Sequence, residues 1–352
     1  MARVGVGLDI GTSSIKIIEL EGGAPIRLSR FGRIPLPEGA LVGGVVKDSD
    51  AVSRSITEAF QALQIKHKQV QVAIAGQAVV VRNIKIPEMA EAEIGAALRW
   101  EAERYVPFPV EQCTMDFAIL GRDTAQRELE VMLVCAHNDI INSHLEVLQK
   151  AGLQPMAVDI QPFALNRALG LEDSQKNRKN VAVLDIGAGS ADLSIFKDGI
   201  SRFTRILPLA GNRFTEDVMK VTGVSFAEAE QLKLQYTDAL LDLSLVGPDS
   251  LEYKVNFAMQ SVLRELVTEL TRSLDYFYLQ QRDEEIAWLA LCGGGAKIKN
   301  LIPYLQQELE IRVSASLDAW QIVCSERQSA EFEAVKPIML VALGLALREV
   351  IE

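Results

Sequence analysis

Three features of the 352-residue sequence predict an α/β fold made of two related halves. The tetrapeptide LDIG occurs twice, in LDIGTSSIK from residue 8 and in LDIGAGSADLSIF from residue 184, so Asp9 and Asp185 lie half a chain length apart. In each copy an apolar strand delivers an aspartate, turns on glycine and small residues, and resumes as an alternating strand: a β-hairpin with a polar tip. Around both copies, runs of strand period alternate with amphipathic runs of helical period. With 49% of its residues apolar, the chain has material for two domains of roughly 100 to 200 residues, each with its own core.

The first hairpin, RVGVGLDIGTSSIKIIELEG, continues into a third alternating strand, PIRLSRFGRIPLP. SDAVSRSITEAFQALQI then carries apolar residues at helical spacing behind a Ser49 or Asp50 cap. QVQVAIAG reads as a buried strand and VVVRNIKIPEM as a strand ending at Pro87. The amphipathic helix EAEIGAALRWEAERYV follows and is stopped by Pro107 and Pro109. TMDFAILG and LEVMLVCAH are two more strands, and HNDIINSHLEVLQKAG is a helix capped near Asn138 or Asp139 and ended by Gly152. The block from about Val81 to Leu145 interrupts the alternation around the first hairpin and is expected to be an inserted subdomain. LQPMAVDIQPFALNRALG gives a strand and a helix, and the polar stretch EDSQKNRKN is the expected linker to the second hairpin. Beyond that hairpin the pattern is helical from Asn212 to about Gln281. IAWLALCGGGAKIKNLIPYLQQEL reads as a buried strand, a glycine turn and a helix. PIMLVALGLALREVIE reads as a terminal helix whose Ala342, Gly344 and Ala346 permit close packing.

Composition removes several function classes. Lys+Arg 36 against Asp+Glu 47 leave a formal charge of −11, which opposes binding to nucleic acid or to an anionic membrane surface. The most apolar stretch, residues 338–347, is well short of the roughly 20 residues that span a bilayer. Asp9 interrupts the first apolar run before it could serve as a secretory signal. A cytoplasmic protein without direct membrane insertion is expected. Cys113, Cys135, Cys292 and Cys324 are too widely spaced for a metal motif and are expected to be small core residues in a reducing compartment. His137 and His144 stand two helical turns apart but lack a third metal ligand.

The hairpin tips carry the chemistry. In the first, Asp9 precedes Gly11, Thr12, Ser13 and Ser14, and Lys16 begins the return strand. Convergent backbone N–H groups, hydroxyls and one ammonium suit a phosphate. In the second, Asp185 is followed by Gly187, Ala188, Gly189 and Ser190, and Asp192 stands where the lysine was. Carboxylates beside phosphate oxygens call for a cation between them, and Mg²⁺ held largely through its own waters suits Asp9 and Asp185. Ordinary hairpin turns would account for either copy alone; two copies point to one ligand gripped from both sides. CGGGAK, residues 292–297, adds a third glycine turn between strand and helix, open enough for a flat base to lie on the backbone.

This order of hairpin, connecting helix, hairpin, glycine turn and small-residue helix resembles the actin, heat-shock chaperone and sugar kinase ATPase superfamily. Within it the chain is most similar to the PilM family of type IV pilus assembly, and next to the FtsA cell-division family. GLDIGTSSIK, RWEAERYVPFP, DIQPFAL, LDIGAGSADL, AEQLK, LTRSLDYF, LCGGGAKIKNL and VALGLALR carry that resemblance nearly end to end, RWEAERYVPFP being the most discriminating. It implies an actin-like, ribonuclease H-like two-domain ATPase fold with an FtsA-type IC subdomain. Subdomain IA would take residues 1–81 with 146–180 and 335–352, IC 82–145, IIA 181–210 with 286–334, and IIB 211–285.

The resemblance also implies roles. Asp9, Gly11, Thr12, Ser13 and Lys16 would form the first phosphate motif, and Asp185, Gly187, Gly189 and Ser190 the second. AEQLK would place Glu230 at the ribose hydroxyls and Lys233 near the adenine; an ordinary surface i, i+3 pair is the alternative. Gly293, Gly294 and Gly295 would line the adenosine, with Lys297 beside the base. Gln161 would orient the attacking water. Glutamine positions water but is a poor base, so with Gln161, Asp185 and Asp9 nearest the chemistry the protein is at most a slow ATPase using ATP and Mg²⁺. A cleft between IA and IC would receive the cytoplasmic N-terminal peptide of a PilN-like inner-membrane protein, recruiting the chain to the inner face of that membrane. Trp100, Arg104, Tyr105 and Phe108 are candidates there by location, with packing onto their own sheet the alternative for the aromatics. Other pilus assembly proteins and a homo-oligomer complete the implied partners. A small-molecule kinase would need a further catalytic aspartate, which no segment supplies. An FtsA-like division protein would add a membrane helix beyond the terminal core helix.

Overall fold

The computed structural model describes residues 3–172, 180–280, 285–315 and 319–351. Most of the expected linker, residues 173–179, lies outside the described residues. In chain order the first half contains β1 (Val4–Ile10), β2 (Ser14–Glu21), β3 (Ile26–Pro35), the short pair β4 (Leu41–Val42) and β5 (Val45–Val46), α1 (Ser49–Ala62) and β6 (Gln69–Ile74). Then come β7 (Val79–Pro87), α2 (Glu91–Ala102), β8 (Cys113–Asp123), β9 (Glu128–His137), α3 (Asn138–Lys150), β10 (Gln154–Ile160) and α4 (Gln161–Ala168). The second half contains β11 (Asn180–Ile186), β12 (Ala191–Lys197), β13 (Ile200–Leu207), α5 (Gly211–Thr222), α6 (Phe226–Tyr236), α7 (Leu251–Gln280), β14 (Ile286–Cys292), α8 (Leu301–Leu309), β15 (Val313–Ala315), β16 (Ile322–Val323) and α9 (Glu326–Ile351).

The duplicated motif sits in a duplicated sheet. The second sheet runs β13-β12-β11-β14-β15, three antiparallel strands followed by two parallel ones, and the first repeats that plan as β3-β2-β1-β6-β10 with β16 added beside β3. Strand alternation sorts the side chains. Val6, Leu8, Ile10, Ile15 and Ile17 face outward into a core under α1 and α3. Ile18 and Leu20 face inward, into a core shared with α4, α9 and Val181, Val183 and Phe196 of the second sheet. Glycines let α9 lie against that inner face: a Cβ on Gly7 would fall 2.0 Å from the Ala342 carbonyl oxygen, and one on Gly344 1.7 Å from that of Ala164 in α4. The helix begins earlier than the sequence pattern shows and carries Pro337 inside it. Cys113, Cys135 and Cys292 are buried free thiols and Cys324 is half-buried. Burial pushes the Cys135 thiol up to about 11.

The inserted block forms a three-stranded sheet, β7-β9-β8. Ile84, Ile86, Leu129, Val131 and Leu133 on one face pack with Ile94, Leu98 and Ala102 of α2. Val81 and Ala136 on the other pack with Ile74, Ile140 and Ile160, joining the insert to the first sheet. Its strand β7 also reaches the second half, where Asn83 Nδ2 donates to the Ser201 carbonyl at 2.7 Å and Arg202 pairs with Glu130. Three features depart from the expected boundaries. The small sheet starts at Val79, the C-terminal part of α3 packs with α1 against the first sheet while its start meets the insert, and Ile322–Val323 pair with Ile26 and Arg27 of the first sheet.

Candidate functional site

Both aspartates stand on the innermost strands, one residue from the turn. Asp9 is paired across β1 and β2 with Lys16, and its Oδ2 lies 2.9 Å from the Lys16 ammonium. Gly11 N–H donates to the Ser14 carbonyl at 3.1 Å and closes the first tip; Gly187 N–H does the same to Ser190 at 2.9 Å in the second. The two tips touch. A Cβ on Gly189 would stand 2.7 Å from Thr12 Oγ1, so only glycine admits the threonine there. Sequence duplication has become spatial apposition across the cleft.

Asp185 stands at the base of the second tip, on β11. Gln161, the first residue of α4, donates its Nε2 to Asp185 Oδ2. Gly293, at φ +78°, packs against the same carboxylate, and a Cβ there would meet Asp185 Oδ1 at 2.1 Å. Burial, the neighbouring Asp192 and, more weakly, Asp9 raise the Asp185 pKa to about 7, against the downward pulls of Lys16 and the Gln161 hydrogen bond. Asp192 is paired with Asp185 across β11 and β12, and burial lifts it to about 6 against the Ser190 hydroxyl donating at 3.0 Å. The cleft thus brings Asp9 and its Lys16 partner near Asp185, which has Asp192 beside it. That excess of carboxylate fits a divalent cation.

The remaining residues wall the cleft on the second half. The N-terminus of α5 is fastened to the second tip, Gly211 N–H donating to the Gly187 carbonyl at 2.9 Å and Asn212 N–H to Ala188 at 2.8 Å. Lys233 is buried in α6 and holds that helix start, donating to the Gly211 carbonyl at 3.0 Å and to Thr215 Oγ1 at 2.8 Å, while pairing with Glu230. These bonds clamp α6 to the start of α5. Glu230 accepts from Thr215 as well and stays partly exposed. The Gly293–Gly295 turn leads into Lys297, which is exposed. Asp238 ties this wall together, pairing with Lys299 at 2.9 Å and accepting from Asn300 at 2.8 Å.

Sequence pattern missed the support beneath Gln161. Arg167, at the other end of α4, is buried with its Nη1 3.2 Å from Asp159 Oδ2 and 2.9 Å from the Gly344 carbonyl. This ties the connecting helix to β10 and α9. Of the two histidines, His144 is buried and donates Nδ1–H to the Ile140 carbonyl at 2.9 Å, while His137 caps α3 and lies 3.1 Å from Gln112 Oε1. Among the described residues no group of three or more His, Cys, Asp or Glu stands close enough to hold a metal directly. None of the described helices is long and apolar enough to cross a membrane.

The family model described as type IV pilus assembly protein PilM matches residues 7–350. The chain belongs to the PilM family. This family member also resembles a solved structure described as the PilM-PilN type IV pilus biogenesis complex, with 31% identity, a TM-score of 0.85 and 98% of each chain covered. The cell division protein FtsA of Bacillus subtilis (strain 168) is 27% identical over 348 residues, covering 88% of this chain and 77% of FtsA. MreB5 of Spiroplasma citri, solved bound to ADP, shares the fold at a TM-score of 0.55 and 14% identity, with 99% of this chain and 96% of MreB5 covered. The PilM-family chain is therefore an actin-like type IV pilus assembly protein.

Proposed function

We propose that this protein is an ATP-binding adaptor that captures the cytoplasmic N-terminal peptide of a PilN-like inner-membrane protein and links it to the assembly machinery. The observation that carries the nucleotide half is the contact of Thr12 in the first tip with Gly189 in the second, the tip that Asp185 leads into, which would let one polyphosphate meet both tips. Gly11, Thr12, Ser13 and Lys16 would hold it from one side and Gly187, Gly189 and Ser190 from the other. Gly293, Gly294, Gly295, Lys297, Glu230 and Lys233 would frame the nucleoside. Asp9 and Asp185 would hold Mg²⁺ largely through water, and the ion would supply charge neutralisation for the phosphates. Gln161 holds Asp185 and can orient a water but not deprotonate it, so turnover is slow and the bound nucleotide mainly sets the conformation.

The partner half is supported by the similarity to the structure described as a PilM-PilN complex, and the surface that suits a peptide is the joint between the insert and the first sheet. Met132, Val134, Ile141 and Val158 are only partly buried there, beside β8 residues Thr114, Asp116 and Ala118, which are exposed. Trp100, Arg104 and Tyr105 belong to the α2 side of the small sheet, opposite that joint; Trp100 is 76% exposed and Phe108 packs edge-on against His137. The groove is therefore assigned to the joint and away from α2.

Isothermal calorimetry of the full chain with Mg-ATP and with the partner's N-terminal peptide tests both halves. Asp185→Ala is expected to weaken Mg-ATP binding, and unchanged affinity would remove Asp185 from the site. Ala118→Arg, placed beside Met132 in register, is expected to weaken the peptide by about tenfold, the scale of one misplaced interface charge, and to leave ATP binding intact. Peptide binding that survives it would move the groove elsewhere.

A further inference from the structure

Three polar side chains line up across the inner face of the first sheet at its cleft end, and the site described above uses two of them. Register pairs Asp9 with Lys16 and Lys16 with Arg33. Laterally paired residues project from one face. That face is turned to the second half, because Ile18 and Phe31, paired in the same register, pack in the core shared with Val183 and Phe196. Arg33 Nε donates to Ser14 Oγ at 3.0 Å, and Leu36 N–H donates to the Ser13 carbonyl at 3.0 Å, so this end of β3 is laced to the first tip. Lys16 is already paired with Asp9, whereas Arg33 is exposed and meets no carboxylate among the described residues. The laterally equivalent position in the second sheet is Ile206, so the charge is no part of the repeated sheet pattern.

We propose that Arg33 is a phosphate-binding residue of the cleft, its Nη groups directed to the terminal phosphate of a nucleoside triphosphate while its Nε stays on Ser14. The proposal rests on the nucleotide reading above and adds to it the group that separates triphosphate from diphosphate. A guanidinium held by one edge presents its other N–H groups in a fixed plane, which suits a phosphate better than it suits water. A triphosphate brings more negative charge than one ammonium, itself paired with Asp9, offsets. The terminal phosphate is the part that a residue on the third strand meets beyond the Gly11–Ser13 tip.

Calorimetry with Mg-ATP and Mg-ADP on the wild-type chain, Arg33→Ala, Arg33→Lys and Ser14→Ala tests this, with thermal unfolding as the check on folding. Arg33→Ala is expected to weaken ATP about tenfold or more and ADP less than about twofold, the loss of one charge-assisted contact to a single phosphate. Arg33→Lys should recover part of the ATP affinity, and Ser14→Ala, which keeps the charge, should cost less than Arg33→Ala. Equal losses for both nucleotides would reduce Arg33 to a prop for the hairpin and overturn the proposal. So would an unaltered ATP preference in Arg33→Ala beside tight wild-type binding, which leaves the nucleotide reading standing. A wild-type chain that binds neither nucleotide overturns that reading, and the role of Arg33 with it.

Discussion

Asp185 is held in a setting that opposes its charge, and this gives the cleft a pH dependence of definite sign. The folded-state values of Asp185 and Asp192, about 7 and about 6, lie above the ordinary 3.8. A raised pKa means that the folded state binds the proton more tightly than the unfolded chain does. The associated stability is complete below about pH 4 and is lost as pH rises through about 6 and 7. The nucleotide-free protein should therefore lose unfolding temperature between about pH 4 and 7 and change little from this source above that. Asp185→Asn, which keeps the shape and an acceptor for Gln161, should flatten that slope; an identical slope in the variant would locate the linkage elsewhere. LDIG announced Asp185 and the resemblance named Gln161 and Gly293 for the same site, but not that both meet the Asp185 carboxylate. Gly293 and Gln161 reach it from segments more than 20 residues away in either direction. Arg33 was equally invisible, because its place beside Lys16 exists only once three strands have paired.

At the scale of elements, period and punctuation made most strands and helices legible, and the exceptions have physical causes. Strand β16 has two residues and pairs across almost the whole chain with β3, so no local pattern could mark it. Helix α9 was expected to begin near Pro337. Proline removes one helical hydrogen bond, yet the helix runs through it, and Gly293 N–H donates to the Pro337 carbonyl at 2.9 Å, docking the glycine turn on the helix. Helix α3 follows the insert directly in sequence, but its buried Val147 and Leu148 belong to the core of the first sheet. Glycine shows how position outweighs residue type. Gly344 has the Ala164 carbonyl where its Cβ would be, so Gly344→Ala must push α4 from α9 and should cost about 1–3 kcal/mol in a urea melt. Gly95, inside α2 with nothing within 4 Å of its Cβ position, should give the opposite result, about 0.5–1 kcal/mol of stabilisation on Gly95→Ala. Matching signs for the two variants would contradict this account of the α4–α9 contact.

Across the whole molecule the insert touches both halves, and that makes it the natural route between the two proposed sites. Its inner face joins the first sheet through Val81, Ala136, Ile140 and Ile160, where the peptide is assigned. Its edge strand meets β13 through Asn83 and Ser201, with Arg202 and Glu130 paired beside them. On the proposed reading, nucleotide gripped by both hairpins would fix one half against the other and so set the distance this brace must span. The brace is modest: a part-exposed ion pair is worth less than about 1 kcal/mol and one amide–carbonyl bond about 1 kcal/mol. That is enough to bias an equilibrium between arrangements and too little to lock it. Linkage requires that any factor by which ATP changes peptide affinity is the factor by which the peptide changes ATP affinity. The expected outcome in the wild-type chain is a reciprocal change of about fivefold or more, the usual lower range for coupled sites. In the double variant Asn83→Ala, Arg202→Ala that factor should fall toward one while each ligand alone still binds, since neither residue lines a proposed site. Calorimetry of each ligand in the presence and absence of the other measures it directly. Coupling that persists undiminished in the double variant would place the route through α4, whose Gln161 meets Asp185 and whose Arg167 holds Asp159 on β10.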